Sequence, residues 1–338
     1  MTPQPRRLLL TGASSGIGFQ AAVLLCRAGH RLTLPCRDEA TAAATARRVR
    51  EEAGTGPEPI APVGDLADLE SVNGCAEALL DRGEPIDTLV LNAGLQDAGA
   101  SEPRRSAQGL ELTVAVNHLA HQLLAMRLVP LLQAGRAPRL VVTASEVHDP
   151  TTGGGKVGKV AGLGDLAGLR SGPGFAMLDG VSPFDANKAY KDSKLCNVLF
   201  AREFARRMER LGRPLAVIAW SPGLVIPRSD GGFFRYSRTH NAIGQRLFAF
   251  VARDLLRVSE SVEDAGALLA ALACDPAYDQ PGFHYWCNRV VGPGRHRFEA
   301  IEPSTEARDA TRARDLWELS AALVGLGPSL PGAVRPAP

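Results

Sequence analysis

The chain has 338 residues, 45% hydrophobic and 22% charged, a globular composition with length enough for a large core. Its 38 Lys and Arg against 36 Asp and Glu leave a formal charge of +2, which argues against a nucleic-acid partner. Six scattered cysteines form no Cys-x2-Cys pair, so no metal site or disulfide framework is expected, and reduced thiols in a cytoplasmic protein are.

Short apolar runs alternate with helical patterns. Strands are expected at Arg7–Leu10, Arg31–Pro35, Ile60–Val63, Thr88–Leu91, Leu140–Thr143 and Leu215–Trp220. Helices are expected at Gly16–Ala28, Ala40–Glu52, Asp68–Asp81, Leu110–Leu132 and Tyr190–Leu211. This alternation predicts βαβ units and a single-domain, Rossmann-type, doubly wound parallel sheet with helices on both faces, over residues 1–326. Leu8-Leu9-Leu10 is too short for a signal segment, and no run reaches the roughly 18 apolar residues of a membrane helix. The proline-rich stretch 327–338 is expected to be a disordered tail.

Two regions break the rhythm. In one, 146–189, ten of the 32 residues from Thr151 to Ser182 are glycine, and so long an irregular segment is usually functional. The other, 224–257, is rich in aromatic and apolar residues. Its part 241–257 is amphipathic, which suits a substrate lid packed on the core or touching a membrane surface.

The first strand runs into Thr11-Gly12-Ala13-Ser14-Ser15-Gly16-Ile17-Gly18 and then a helix. Glycines here permit a tight turn and let the backbone approach a pyrophosphate seated on the helix N-terminus. The strand–loop–helix context makes this a strong nucleotide signal. At the end of the second strand, Arg37 favours a ribose 2′-phosphate, hence NADP(H), where an acidic residue would favour NAD. Tyr190 and Lys194 stand four apart, on one helix face. A free tyrosine has a pKa near 10, and a neighbouring ammonium should lower it, so the pair could move a proton beside a nicotinamide hydride.

The Gly-x3-Gly-x-Gly spacing and the Tyr-x3-Lys pair together resemble the short-chain dehydrogenase/reductase family. That resemblance implies cofactor contacts at Gly12, Ser14, Ser15, Gly16, Ile17 and Gly18, at Asp65-Leu66 and at Asn92-Ala93-Gly94. It implies that Ser145 hydrogen-bonds the reacting substrate and that Asn117 completes a proton relay with Tyr190 and Lys194. Pro222-Gly223 also match the family and are assigned to the cofactor. His118 and His121, without a third ligand, read as packing or hydrogen-bonding residues.

Ser145 and Tyr190 lie 45 residues apart, farther than in most members. The inserted segment, the run Lys188-Ala189-Tyr190-Lys191-Asp192-Ser193-Lys194 and Leu316-Trp317-Glu318-Leu319-Ser320 resemble the light-dependent protochlorophyllide-reducing branch of the family. This implies NADPH, a large apolar tetrapyrrole-like substrate such as protochlorophyllide, hydride transfer to a conjugated C=C with Tyr190 as proton donor, and a place in chlorophyll biosynthesis. Cys196 matches a branch cysteine, though a small packing residue serves as well. One departure stands out: Leu224 occupies a position where the branch carries a cysteine, and leucine cannot donate a proton. A light-independent reductase of a ketone, aldehyde or quinone therefore stays open, as does a non-catalytic NADP(H)-binding sensor. Phe283–Asn288 either lines the substrate pocket or finishes the sheet. Family members often form oligomers, and one is allowed here.

Overall fold

The computed structural model describes residues 4–226, 235–240 and 259–331. Seven strands form one sheet in the order β2-β1-β3-β4-β5-β6-β7. They are β1 (Arg7–Leu10), β2 (Arg31–Thr33), β3 (Thr88–Leu91), β4 (Arg139–Thr143), β5 (Ala216–Ser221), β6 (Gly282–Gly292) and β7 (Arg295–Ala300). Strands β1 to β6 pair in parallel, and β7 returns antiparallel along β6. The helices that cover them are α1 (Gly16–Arg27), α2 (Glu39–Ala53), α3 (Leu69–Arg82), α4 (Ala120–Gln133), α5 (Ala186–Arg210), α6 (Val262–Cys274) and α7 (Ala310–Leu323).

Strand side chains alternate between faces, and here both faces are dry. Leu9, Leu89, Leu91, Val142 and Val217 meet α3, α4, α5 and α7 in one core. Leu8, Leu10, Val90, Val141 and Ile218 meet α1, α2 and α6 in the other. That is why the strands read as unbroken apolar runs rather than as alternating ones.

Two expectations need correction. The strand expected at Ile60–Val63 is reduced to two isolated parallel bridges, Thr33↔Ile60 and Cys36↔Val63. Pro62 has no N–H to give a ladder, which confines this segment to the sheet edge. The helix expected at Leu110–Leu132 is instead a turn at Leu112–Val114, a π-helical turn at Ala115–Leu119, and then α4. The doubly wound sheet is the one expected, parallel in every pairing but that of β7. Phe283–Asn288 lies in β6 and finishes the sheet beside β5, with β7 added beyond it.

Helix α7 packs on α5 through Trp317, which is fully buried and stacks on Phe200 with 5.7 Å between ring centroids. Arg207 covers the indole at 4.8 Å, and the indole N–H donates to the Pro328 carbonyl at 2.7 Å. Leu330 is buried in the same core, so 327–331 packs on the fold; 332–338 lies outside the described residues. Most of the expected lid, 227–234 and 241–257, also lies outside them. Among the described residues no helix is long and apolar enough to cross a membrane. Trp317→Ala should destabilise the protein by about 3–5 kcal/mol, read as a lower urea midpoint.

Candidate active site

The carboxyl ends of the parallel strands open onto one cavity of about 1480 Å3. The glycine loop forms one wall. Gly12 takes φ +76°, and a Cβ there would lie 2.8 Å from the Ala93 Cα. A Cβ on Gly18 would lie 2.3 Å from the Gly12 carbonyl oxygen and 2.6 Å from the Asn92 amide nitrogen. Glycine is therefore required for the loop to close on the β3 turn. Ser15 holds the N-cap position of α1 without a side-chain cap, leaving the helix N-terminus facing the cavity.

Thr11 ties this loop to its neighbour. Its hydroxyl accepts from the Asn92 and Ala93 N–H groups at 2.9 and 3.1 Å. His121 lies behind it. The His121 Nδ1 faces the Asn117 carbonyl at 3.1 Å, which can only accept, so Nδ1 carries the proton. Nε2 then accepts from the Thr11 hydroxyl at 3.0 Å. Burial pulls the His121 pKa down to about 4, keeping the ring neutral. His118 bonds Ser320 at 2.9 Å, and burial takes its pKa to about 3. Both histidines are hydrogen-bonding core residues, as read from sequence.

Seventeen of the 18 expected site residues line the cavity: Gly12, Ser14, Ser15, Gly16, Ile17, Gly18, Arg37, Asp65, Leu66, Asn92, Ala93, Gly94, Ser145, Tyr190, Lys194, Pro222 and Gly223. Asn117 does not. It is fully buried behind Gly94, and its side chain clamps Leu95 by accepting from the amide at 2.8 Å and donating to the carbonyl at 3.0 Å. Its Nδ2 also donates to the Ser193 hydroxyl at 3.0 Å. Its side chain thereby holds the wall that carries Gly94.

Tyr190 and Lys194 project from the first turns of α5, which Asp185 caps by accepting from the Lys188 amide. The Lys194 Nζ is 5.7 Å from the Tyr190 ring centroid and donates to the Thr143 carbonyl at 3.0 Å. Electrostatically the pair departs from expectation. Burial raises the Tyr190 pKa, against a hydrogen bond from Ser145, so the phenol is held neutral rather than ionised. Burial also takes the Lys194 pKa down to about 7. Dehydration outweighs the attraction that the spacing suggested.

The sequence reading passed over several wall residues. Glu146 follows Ser145 into the cavity, and burial raises its pKa against the pull of Arg289. Arg289 and Val290 arrive from β6, which sequence patterning did not extend that far. Arg48 is not itself on the wall but reaches the carbonyl of Ser14, which is, at 3.5 Å and lies 4.4 Å over Phe19, an approach with no local sequence signal. Leu224 does line the cavity. Cys196 is fully buried in the core and off the cavity wall, a packing residue.

The fold and this cavity are those of an oxidoreductase. A family model described as short chain dehydrogenase matches residues 6–154. The chain belongs to the short-chain dehydrogenase/reductase family. Protochlorophyllide reductase A of Oryza sativa subsp. japonica is 36% identical over 327 residues, 94% of this chain and 80% of that one. Protochlorophyllide reductase of Avena sativa is 35% identical over 328 residues, 94% and 99% of the two chains. Among solved structures, an uncharacterised protein from Mycobacterium paratuberculosis superposes with a TM-score of 0.66 at 26% identity, covering 96% and 95%. The NADP active-site complex of Pseudomonas aeruginosa RhlG shares the fold with a TM-score of 0.61 at 21% identity, covering 87% and 97%.

Lys194 is held in this wall at a net cost in stability. Burying an ammonium costs several kcal/mol, whereas one net hydrogen bond returns about 1 kcal/mol. The Thr143 carbonyl also accepts from Asn197 at 3.1 Å, so losing the lysine would not orphan it. Lys194→Met should therefore abolish turnover without lowering the thermal midpoint at pH 7. The folded pKa of about 7 lies below the unfolded value near 10.4, so the unfolded chain binds more protons in between. Stability of the cofactor-free protein should rise with pH across that window, and less steeply in Lys194→Met.

Proposed function

We propose that the chain is an NADPH-dependent reductase of a large apolar substrate with a conjugated double bond, of the protochlorophyllide type. The observation that carries this reading is the single cavity running from the glycine loop past Tyr190 to the wall built by the insert and β6. Its volume of about 1480 Å3 exceeds the few hundred to about 1000 Å3 usual for one small ligand. The glycine loop and α1 N-terminus suit a pyrophosphate, and Arg37 on the cavity wall suits a 2′-phosphate. Arg37 is more than half exposed and, among the described residues, paired only with the neighbouring Asp38 at 3.0 Å, so its guanidinium can turn to a phosphate at small cost. Arg48, beside Ser14, adds a second positive charge at that end.

When bound, NADPH supplies the hydride. The protein's part is the proton. Tyr190, kept neutral by burial, carries one to give, and its bond with Ser145 orients it. Lys194, with a pKa of about 7, can carry a proton toward the phenol once Tyr190 has given its own. Leu224 contributes shape but no proton, which leaves Tyr190 as the donor. Six free thiols support a reducing compartment such as the cytoplasm.

The first test is optical. Protein, NADPH and protochlorophyllide are mixed in the dark and then illuminated while the red pigment band is followed. Light-driven conversion supports the pigment reductase. No band shift and no conversion would move the substrate to ketones, aldehydes or quinones, assayed in the dark as NADPH oxidation. Tyr190→Phe should abolish turnover with NADPH affinity within about twofold of wild type, since it removes a proton rather than a cofactor contact. Arg37→Asp should reverse the preference from NADPH toward NADH; an unchanged ratio of the two dissociation constants would remove Arg37 from phosphate recognition.

A further inference from the structure

Lys191 has no part in the proton chemistry, yet it is buried one residue beyond Tyr190, with only 5% of its surface exposed. Its Nζ donates to three main-chain carbonyls of the insert: Gly155 at 2.9 Å, Val157 at 2.5 Å and Lys159 at 3.0 Å. An ammonium has three protons, and all three are committed here. The stretch it gathers has little side-chain packing of its own. Val157 is 72% exposed and Val160 is 46% exposed, and Gly153, Gly154, Gly155 and Gly158 bring no side chains at all.

That stretch is also a wall of the cavity, through Gly153, Gly154, Val157 and Gly158, with Lys191 itself beside them. A different set of charges holds the insert farther along. Asp192 accepts from the Gly162 amide at 2.9 Å, and Lys188 donates to the Gly162 carbonyl at 2.7 Å. Glu306 accepts from the Leu163 amide at 3.0 Å. Gly162, Leu163 and Glu306 do not line the cavity. The two attachments are thus separable.

We propose that Lys191 is a positioning residue for substrate: it gathers the carbonyls of residues 155–159 and so fixes the wall that the substrate meets beside Tyr190. This rests on reading that end of the cavity as the substrate site. The helix that presents the proton donor then also sets the width of the pocket, through one side chain.

The test compares Lys191→Met, Lys191→Arg and Glu306→Ala in full-length protein with NADPH bound. Hydrogen exchange of 153–159 is followed by mass spectrometry, and protochlorophyllide affinity by its absorbance shift. Lys191→Met should speed exchange there by about tenfold or more and weaken protochlorophyllide binding about tenfold, with NADPH affinity within about twofold. Lys191→Arg, which keeps a multi-proton donor, should recover part of both. Glu306→Ala should leave protochlorophyllide affinity unchanged. Unaltered exchange and affinity in Lys191→Met overturn the proposal, as does an equal affinity loss in Glu306→Ala. Should Lys191→Met fail to fold, Lys191→Gln, with fewer donors, repeats the comparison. If wild-type protein binds no protochlorophyllide, the functional reading fails, and exchange over 153–159 alone decides whether Lys191 holds the wall.

Discussion

Helix α5 buries charge on several sides, and the cost of removing water from those groups governs much of what surrounds it. Lys188, Lys191, Asp192, Lys194 and Glu203 are all buried on its 25 residues. Each must find a partner or change its protonation. Glu203 meets Arg206 and Arg207. Asp192 and Lys188 meet each other at 2.6 Å and share Gly162 of the insert. Lys191 takes three carbonyls, and Lys194 takes one carbonyl and a lowered pKa. Lys194 has the fewest hydrogen-bond partners of these among the described residues, and it is the one beside the proposed proton donor. An unpaid desolvation cost there is what a bound ligand could relieve.

The two ends of the cavity are built by different physics. At the cofactor end, neutral hydrogen bonds interlock. Thr11 binds the β3 turn, the Thr143 hydroxyl donates to Asn92 at 3.1 Å, and the Trp220 indole donates to Thr143 at 3.0 Å. Every member lies in or next to the carboxyl end of a strand, so its position follows from the sheet. At the other end, long charged side chains reach from α5 to main-chain atoms of a glycine-rich segment. A recess positioned by the sheet thus adjoins a wall held by single long side chains. That division fits a family that keeps one cofactor site while varying substrates.

What could be read in advance follows the same division. The strands, the glycine loop, Tyr190 and Lys194 were legible because local spacing dictates them: apolar runs for buried strands, i,i+4 for a shared face. The strand at Ile60–Val63 misled because hydrophobicity cannot show that Pro62 lacks a ladder donor. Strand β7 was missed because Arg295–Ala300 carries Arg295, Arg297 and Glu299, the pattern of an edge rather than of a buried strand. Nothing local says that the Asn117 amide would be spent on Leu95. The inversion of the Tyr190–Lys194 electrostatics was invisible for a different reason. Burial depends on the whole fold, while spacing reports only the pair.

The π-helical turn at Ala115–Leu119 has a consequence for how this helix could have changed over time. A π turn holds one residue more than an α turn of the same rise, so everything after it is rotated by about 100° relative to a straight helix. The phase between Asn117, aimed at Leu95, and His121, aimed at Thr11, depends on that extra residue. Deleting one residue would restore a regular helix and turn His121, beyond the π turn, off Thr11 while Asn117 stays on Leu95. Substitutions can be accepted one at a time along this segment, but its length cannot drift: the spacing between the cofactor loops and α4 is fixed as a count of residues.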